Sequence, residues 1–599
     1  MTDEHSSLKN HVEQIAAQVE VLARKVDALS VKVDLYSQGV RPVMTGTAPL
    51  EDEFPDASEA LLSWVGRSSL LQRLSTLCFL LVVALILRTV TDNGMINLQL
   101  GYIIGMSYAA ALMFMGWRRY RKANPLAPIF TVCGTVLMFT IVVETHAHFD
   151  ALPSVPAYIL LMLTGLGTAV ISYVYRAPAP VAVGNLGMCL AGAAIDYPNP
   201  FFPYLGIVLF TANLLGYFTV RAHRYSWLRW ILLLVTLFMI TLWGIKLGMT
   251  LMGGEEPPRI LAPAWFLPLL TLFAMTYMVT AFYGILRSLP GKISRFELAL
   301  PVINAAWVFT LTQYVMSATD GNKMILGAIG VIVGAGHLAA AIWLAGWDPK
   351  GARGANAFVF AGAVLLALAL PVALDGIYFS LPLLSAVALW AAVMSGKWLS
   401  GSVRLTSYLL QIYASVTLTG MLFGWGTSPS FPTSALSAGG IACLGLLQYR
   451  WCRSRKPPDE SAFFQRIDKG DFSAVTILLA ALLSAFMMLR GIAQHVLAMS
   501  LSAADLNNAL QCTQSGIINL SAICLMFFAQ IHRNREVRNV AILVTVIGAI
   551  NVFLYDLIRA HGMPLVISVL SFGLATAVES VILGRWQHLQ PPAQENDRA

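Results

Sequence analysis

Ionisable side chains are scarce in this chain, and those that fall within or beside apolar runs mark where chemistry could occur. Arg88 and Asp92 stand four apart at the end of one apolar run, on one helix face, as an ion pair requires. Glu144-Thr-His146-Ala-His148-Phe-Asp150 gathers carboxylates and imidazoles at the end of another. Such ligands suit zinc or manganese. His146 and His148 share a side only if the segment is extended, whereas on a helix Glu144 aligns with His148. No second histidine pair or cysteine cluster completes a site, so no metal and no cofactor is expected. Asp196 precedes Pro198 and Pro200, Lys246 sits inside a run that leads to Glu255 and Glu256, and Asp375 closes a further run. Arg490 with His495, and Asp556 with Arg559 and His561, end two more.

Deeper polar residues are fewer. His337 follows Gly334 and Gly336, whose small size permits close helix packing, and its imidazole is expected to bond across a helix pair rather than relay protons. Glu579, near the end of the last run, is expected to snorkel towards water. Asn185, Asn213, Asn304, Gln313, Gln411, Asn519 and Asn551 could join helices by hydrogen bonds.

The elements that must position these groups follow from composition. Of 599 residues 57% are apolar and 12% charged, about half the charge of an ordinary soluble domain, and mean hydropathy is +0.69. A soluble enzyme, a disordered chain and a fibrous one are excluded, which leaves an all-α polytopic membrane protein. Apolar runs, most of them long enough to cross ~30 Å of hydrocarbon, predict about eighteen transmembrane helices. They are expected near 72–91, 98–117, 126–145, 154–175, 179–196, 202–220, 228–250, 263–286, 297–318, 324–346, 355–375, 379–396, 404–425, 433–450, 473–495, 507–531, 538–557 and 563–584. The segments at 179–196 and 433–450 are the shortest or most glycine-rich.

Charge tests that series. With a cytoplasmic N-terminus, twenty-six of the 39 basic residues fall in alternate loops or the C-terminal tail, all on the inner side. The outer side holds Arg88, Lys246, Arg259, Lys323, Arg490 and Arg559. One missed helix in mid-chain would destroy the alternation, so both termini are expected in the cytoplasm. The same distribution argues against nucleic acid, since the net charge of +8 resides in short loops rather than on one face. The seven cysteines show no CxxC pairing and mostly lie in apolar runs, as small buried hydrophobes do. No apolar h-region of a signal peptide precedes the first helix.

Residues 1–36 carry a heptad. Val12, Val19, Val26 and Val33 occupy a positions, and Leu8, Ile15, Leu22, Leu29 and Tyr36 occupy d positions. β-Branched a residues with Leu at d favour a parallel two-stranded coiled coil, here a rod of roughly 43 Å. Lys25 and Lys32 at g meet no acidic e residue, so residues 8–36 could form a homodimer or take an acidic partner helix. Residues 37–71 form an acidic, proline-containing linker and membrane approach, 72–584 the transmembrane domain, and 585–599 a cytoplasmic tail.

Three local patterns carry a family resemblance. Leu370-Pro371-Val-Ala-Leu374-Asp375-Gly376 stands at an outer helix end, although the tryptophan of the family's step is absent at Ser380–Pro382. Thr91-Asp92-Asn93-Gly94 leads through a glycine-containing helix to Arg118-Arg119-Tyr120-Arg121, and the third pattern is the histidine-containing stretch at 144–150. Over most of residues 10–590 the chain resembles a large bacterial family of predicted multi-helix membrane proteins of unknown function. The resemblance implies a bacterial inner-membrane location and no particular activity.

Arg88, Asp92, Glu144, His146, His148, Asp150, Asp196 and Asp375 thus form a candidate outer polar vestibule, with headgroup contact as the simpler alternative. No nucleotide-binding loop, HExxH or GxSxG pattern is present, and no catalytic residue is assigned. The leading expectation is transport or assembly of a hydrophobic or lipid-linked envelope component, with membrane lipids as partners. A transferase using a lipid-linked donor at the outer face, and a scaffold working through its coiled coil, are the alternatives.

Overall fold

The computed structural model describes Val82 and residues 98–588, apart from His148 and short stretches at 196–200, 224–225, 289–292, 320–321, 348–353, 426–429, 459–461 and 560–562. The heptad, the linker, the helix expected at 72–91, the terminal tail, and the candidates Arg88, Asp92, His148 and Asp196 lie outside the described residues.

Among the described residues every regular element is a helix. In lipid no water completes a backbone hydrogen bond, so a spanning segment must satisfy its own N–H and C=O groups. The series runs α1 (Leu98–Arg121), α2 (Ala127–Ala147), α3 (Ser154–Tyr175), α4 (Pro178–Ala194), α5 (Phe202–His223) and α6 (Ser226–Met252). It continues with α7 (Pro263–Arg287), α8 (Arg295–Ser317), α9 (Lys323–Trp347), α10 (Ala355–Ala373), α11 (Ile377–Lys397) and α12 (Gly401–Gly420). The last third holds α13 (Phe431–Arg453), α14 (Ala462–Arg466), α15 (Ser473–Ser500), α16 (Ala503–His532), α17 (Arg535–Ile550) and α18 (Met563–His588). Among the described residues fifteen helices are long and apolar enough to cross a membrane. Each helix expected from residue 98 onward has its counterpart, and the short α14 is an addition.

Besides the five-residue α14, two helices fall outside that set of candidate spans for physical reasons. With 17 residues, α4 is short. In α12, Arg404, Ser407, Gln411 and Ser415 lower the hydropathy, yet all four are buried. Gln411 accepts from Ser385 of α11 at 2.5 Å and donates to Ile441 O of α13 at 3.2 Å, and Gln448 of α13 donates to Ser407 at 3.2 Å. The polarity of α12 is therefore spent inside the protein.

Short connections end the helices with left-handed residues. Asp150, Arg176, Asp375 and Arg533 follow α2, α3, α10 and α16 with φ of 47°, 55°, 45° and 48°. Asn534 then caps α17, its side chain accepting from the N–H groups of Glu536 and Val537 at 2.9 and 3.3 Å.

Packing relies on aromatic anchors and on small residues. Trp243 of α6 is fully buried, stacked on Phe202 of α5 at 5.6 Å and edge-on to Phe266 of α7 at 5.1 Å, and its indole N–H donates to Leu261 O. A second apolar core joins α10 to α13 and α15 through Leu381, Leu384, Leu418 and Ile441. Among the described glycines the closest approach to another helix's backbone is between α9 and α10, where a Cβ on Gly327 would stand 2.2 Å from the backbone nitrogen of Ala373. Lipid tails are as apolar as the helices, so close van der Waals contact of this kind is what holds helices together.

At the end rich in basic residues a buried ion pair ties three helices. Arg404 of α12 contacts Asp471, just before α15, at 2.5 Å, and Tyr408 donates to the same carboxylate at 3.0 Å. Arg404 also donates to Cys452 O at 2.7 Å and more weakly to Arg455 O and Lys456 O, so its charge meets the unpaired carbonyls that end α13. Nearby, burial works against the charge on Asp468, but hydrogen bonds from the hydroxyl and N–H of Ser473 and the N–H of Phe472 hold its carboxyl below the usual range.

Two outcomes follow for stability. Gly327→Ala forces backbone apart and should lower the apparent Tm in detergent, by about 1–3 kcal/mol of stability. Gly336→Ala on the same helix meets nothing within 4 Å and should be neutral or mildly stabilising. Arg404→Met leaves Asp471 buried without its partner and should cost about 3–5 kcal/mol in the same melts.

Candidate functional site

Of the described candidates for the vestibule, Glu144, His146 and Asp150 share the end of α2 and the turn after it. His146 Nδ1 lies 2.6 Å from Leu152 O, across that turn, and Asp150 is exposed. Asp375 is exposed in the turn between α10 and α11. Helix α2 packs on α1, α3 and α4, whereas α10 packs on α8, α9, α11 and α12, so these candidates divide between two helix groups. Lys246 is half-buried with its ammonium 5.7 Å above the Phe202 ring.

The deeper residues also depart in part from expectation. His337 is buried, but its Nδ1 meets Val333 O of its own helix at 2.8 Å rather than a group across a helix pair. Its ring lies 6.0 Å from that of Phe358 on α10. Glu579 does not snorkel: it is 7% exposed and accepts from the Thr545 hydroxyl of α17. Asn213, Asn304, Gln411, Asn519 and Asn551 do bond across helices, Asn213 through Thr236 and Tyr277. Neither amide atom of the buried Asn185 has a hydrogen-bond partner.

Polar groups converge instead at the ends of α12, α13 and α15, opposite the basic loops. A cavity of about 330 Å³ lies there. Helix α12 passes at Met421–Trp425 into a wider π-type turn that closes at Gly424, with φ 117°. Such turns re-aim the residues beside them and are frequent at functional sites. Helix α13 starts after this turn and supplies Phe431 and Ser434 to the wall. Three polar residues on α15 complete it: Arg490, Gln494 and His495, one helical turn apart.

The lining mixes apolar and polar side chains. Met421, Leu422, Phe431, Met487 and Ala498 are the apolar ones. Arg490 is half-buried, its guanidinium carbon 4.9 Å from the Phe423 ring, and its Nε has no hydrogen-bond partner. His495 stacks on Phe431 at 4.1 Å with the planes 4° apart. A cation fixed over an aromatic ring, with spare donors and in a lining that is partly apolar, suits an anionic head on a hydrophobic body. No carboxylate lines the cavity. The arrangement offers binding and orientation rather than a nucleophile with its base.

Arg490 and His495 were visible in the sequence as polar residues at a helix end. What the sequence did not reveal was their meeting with the turn after α12, because pairing between helices distant in the chain leaves no local periodicity. Among the described residues no cluster of His, Cys, Asp and Glu could hold a metal ion.

The model of a family described as "Predicted membrane protein (DUF2339)" matches residues 67–438. No curated protein and no solved structure matches the chain. The matched segment includes the turn after α12 and the start of α13, while Arg490 to His495 lie beyond it.

The cavity yields a direct expectation. Arg490→Gln should weaken binding of an anionic amphiphile such as dodecyl phosphate about 10- to 100-fold, the worth of one charge-assisted contact. Binding of an uncharged maltoside of equal chain length should stay the same, as should Tm. Titration of tryptophan fluorescence with both amphiphiles measures the difference.

Proposed function

The chain belongs to the predicted membrane protein family DUF2339, and on that premise we propose that it handles a hydrophobic or lipid-linked component of the bacterial cell envelope, as a transporter or an assembly factor of the inner membrane. The observation that carries this reading is the cavity of α12, α13 and α15, whose lining brings Arg490, Gln494 and His495 together with apolar Met421, Leu422, Phe431 and Met487. Its position opposite the basic loops supports, under the positive-inside rule, a location in the outer half of the membrane. Many helices, short connections and an amphiphilic recess support a substrate that is itself drawn from lipid. The heptad at 8–36 would dimerise the protein or recruit an acidic helix on the cytoplasmic side.

The test is the lipid that travels with the protein. Native mass spectrometry of the chain released from nanodiscs of its own membrane should show retained anionic or phosphate-linked lipid. Arg490→Gln with His495→Ala should reduce that retention about tenfold or more. Equal retention in wild type and double variant would defeat the proposal.

A further inference from the structure

The last three helices enclose a second polar site, on different elements from the cavity above. Its centre is Asp556, fully buried in a π-type turn, Asn551–Asp556, that continues α17. One carboxylate oxygen, Oδ2, accepts hydrogen bonds from the hydroxyls of Ser515 on α16 and Ser568 on α18, the latter at 2.5 Å. Asn551 donates its amide N–H to Ser515 Oγ at 2.7 Å, so the hydroxyl proton of Ser515 is committed to the carboxylate. The donors run Asn551 to Ser515 to Asp556, an arrangement that stabilises negative charge.

The other oxygen, Oδ1, is buried and has no hydrogen-bond partner. No ion pair to Asp556 exists among the described residues. A buried carboxylate with donors on one oxygen and nothing on the other is costly unless a cation or a proton meets it. One turn along α16, Asn519 donates to Ser571 at 2.8 Å, and its own Oδ1 is likewise buried without a partner. Gly548 of α17 makes room for that oxygen, since a Cβ there would stand 2.3 Å from it.

We propose that Asp556, with the hydroxyl oxygens of Ser515 and Ser568, forms a binding site for a small monovalent metal cation of the sodium class. The donor set is all oxygen, which suits a hard ion, and it carries one formal negative charge, which a single positive charge neutralises. A divalent ion would call for further carboxylates. Ser568 lies five residues into α18, about 7.5 Å from its start, so the site sits a turn and a half below the helix end. Glu579, eleven residues further along the same helix and about 16 Å deeper, is bonded to Thr545 and continues the polar seam. A carboxylate at a widened turn among packed helices is where coupling ions bind in transporters built on broken helices. The site nevertheless stands without the amphiphile reading, because the two share no residue.

The experiment is thermal unfolding of the full chain in detergent while sodium replaces choline at constant ionic strength, repeated at several fixed pH values. A saturable rise in Tm with sodium is expected, as any ligand of the folded state produces. Asp556→Asn should abolish the sodium dependence. Ser568→Ala and Ser515→Ala keep the carboxylate and should weaken the apparent affinity about tenfold. Should Asp556→Asn fail to fold, those two variants carry the test, with equilibrium binding of radioactive sodium as the second readout. Failure of sodium to raise Tm, an undiminished rise in Asp556→Asn or in both milder variants, or a Tm that follows pH alone would overturn the proposal. The last result would make the occupant a proton.

Discussion

A polar group between these helices has no water to turn to, and most of the internal organisation follows from that constraint. Backbone amides answer it by folding every described spanning segment into a helix. Side chains answer it one by one. The hydroxyls of Thr131, Thr135, Thr164 and Thr236 bond carbonyls a turn back in their own helices. Amides reach across to neighbours, as Gln411 does to α11 and α13. Arg404 is met by a carboxylate, a phenol and the carbonyls that end α13. Groups left incomplete are then informative, because leaving a buried polar atom unmatched costs about 1–3 kcal/mol. Arg490 Nε and Asp556 Oδ1 are two such atoms, and each lies beside a π-type turn.

The helix series could be read from the sequence because the length of an apolar run and the sign of its flanking charges are both local properties. That reading extended to α12, whose counterpart was expected at 404–425 despite its low hydropathy. Arg404 shows where it stopped. By loop charge it counts as one more inner basic residue, yet it is 3% exposed and holds the end of α13. Glu579 shows the same limit from the other side: proximity to a helix end suggested snorkelling, whereas Thr545 of the neighbouring helix keeps it inside. Which helices touch is decided by small residues spread along the chain, and one sequence does not state which glycine meets which backbone. The candidate vestibule was drawn from helix ends alone, and its described members divide between the α2 turn and the α10–α11 turn.

The two π-type turns also separate two kinds of recognition. In the turn after α12 the extra width brings Phe423 against Arg490, and the outcome is a recess lined by both polar and apolar side chains. In the turn after α17 it carries Asn551 and Asp556 to the hydroxyls of two neighbouring helices, and the outcome is a small, wholly polar pocket of oxygen atoms. Their linings match the amphiphile proposed for one and the cation proposed for the other.

The contact of Gly327 with the backbone of Ala373 bears on how this protein could change shape. Side chains between helices act as a bearing: rotamers exchange, and one helix slides on the next. Where backbone rests on backbone that layer is missing. The α9–α10 hairpin is therefore a stator, and relative displacement within the helical domain has to run along seams that have side chains to reshuffle. The methionine-lined recess at Met421 and Met487 is such a seam, since the unbranched thioether side chain repacks at little cost.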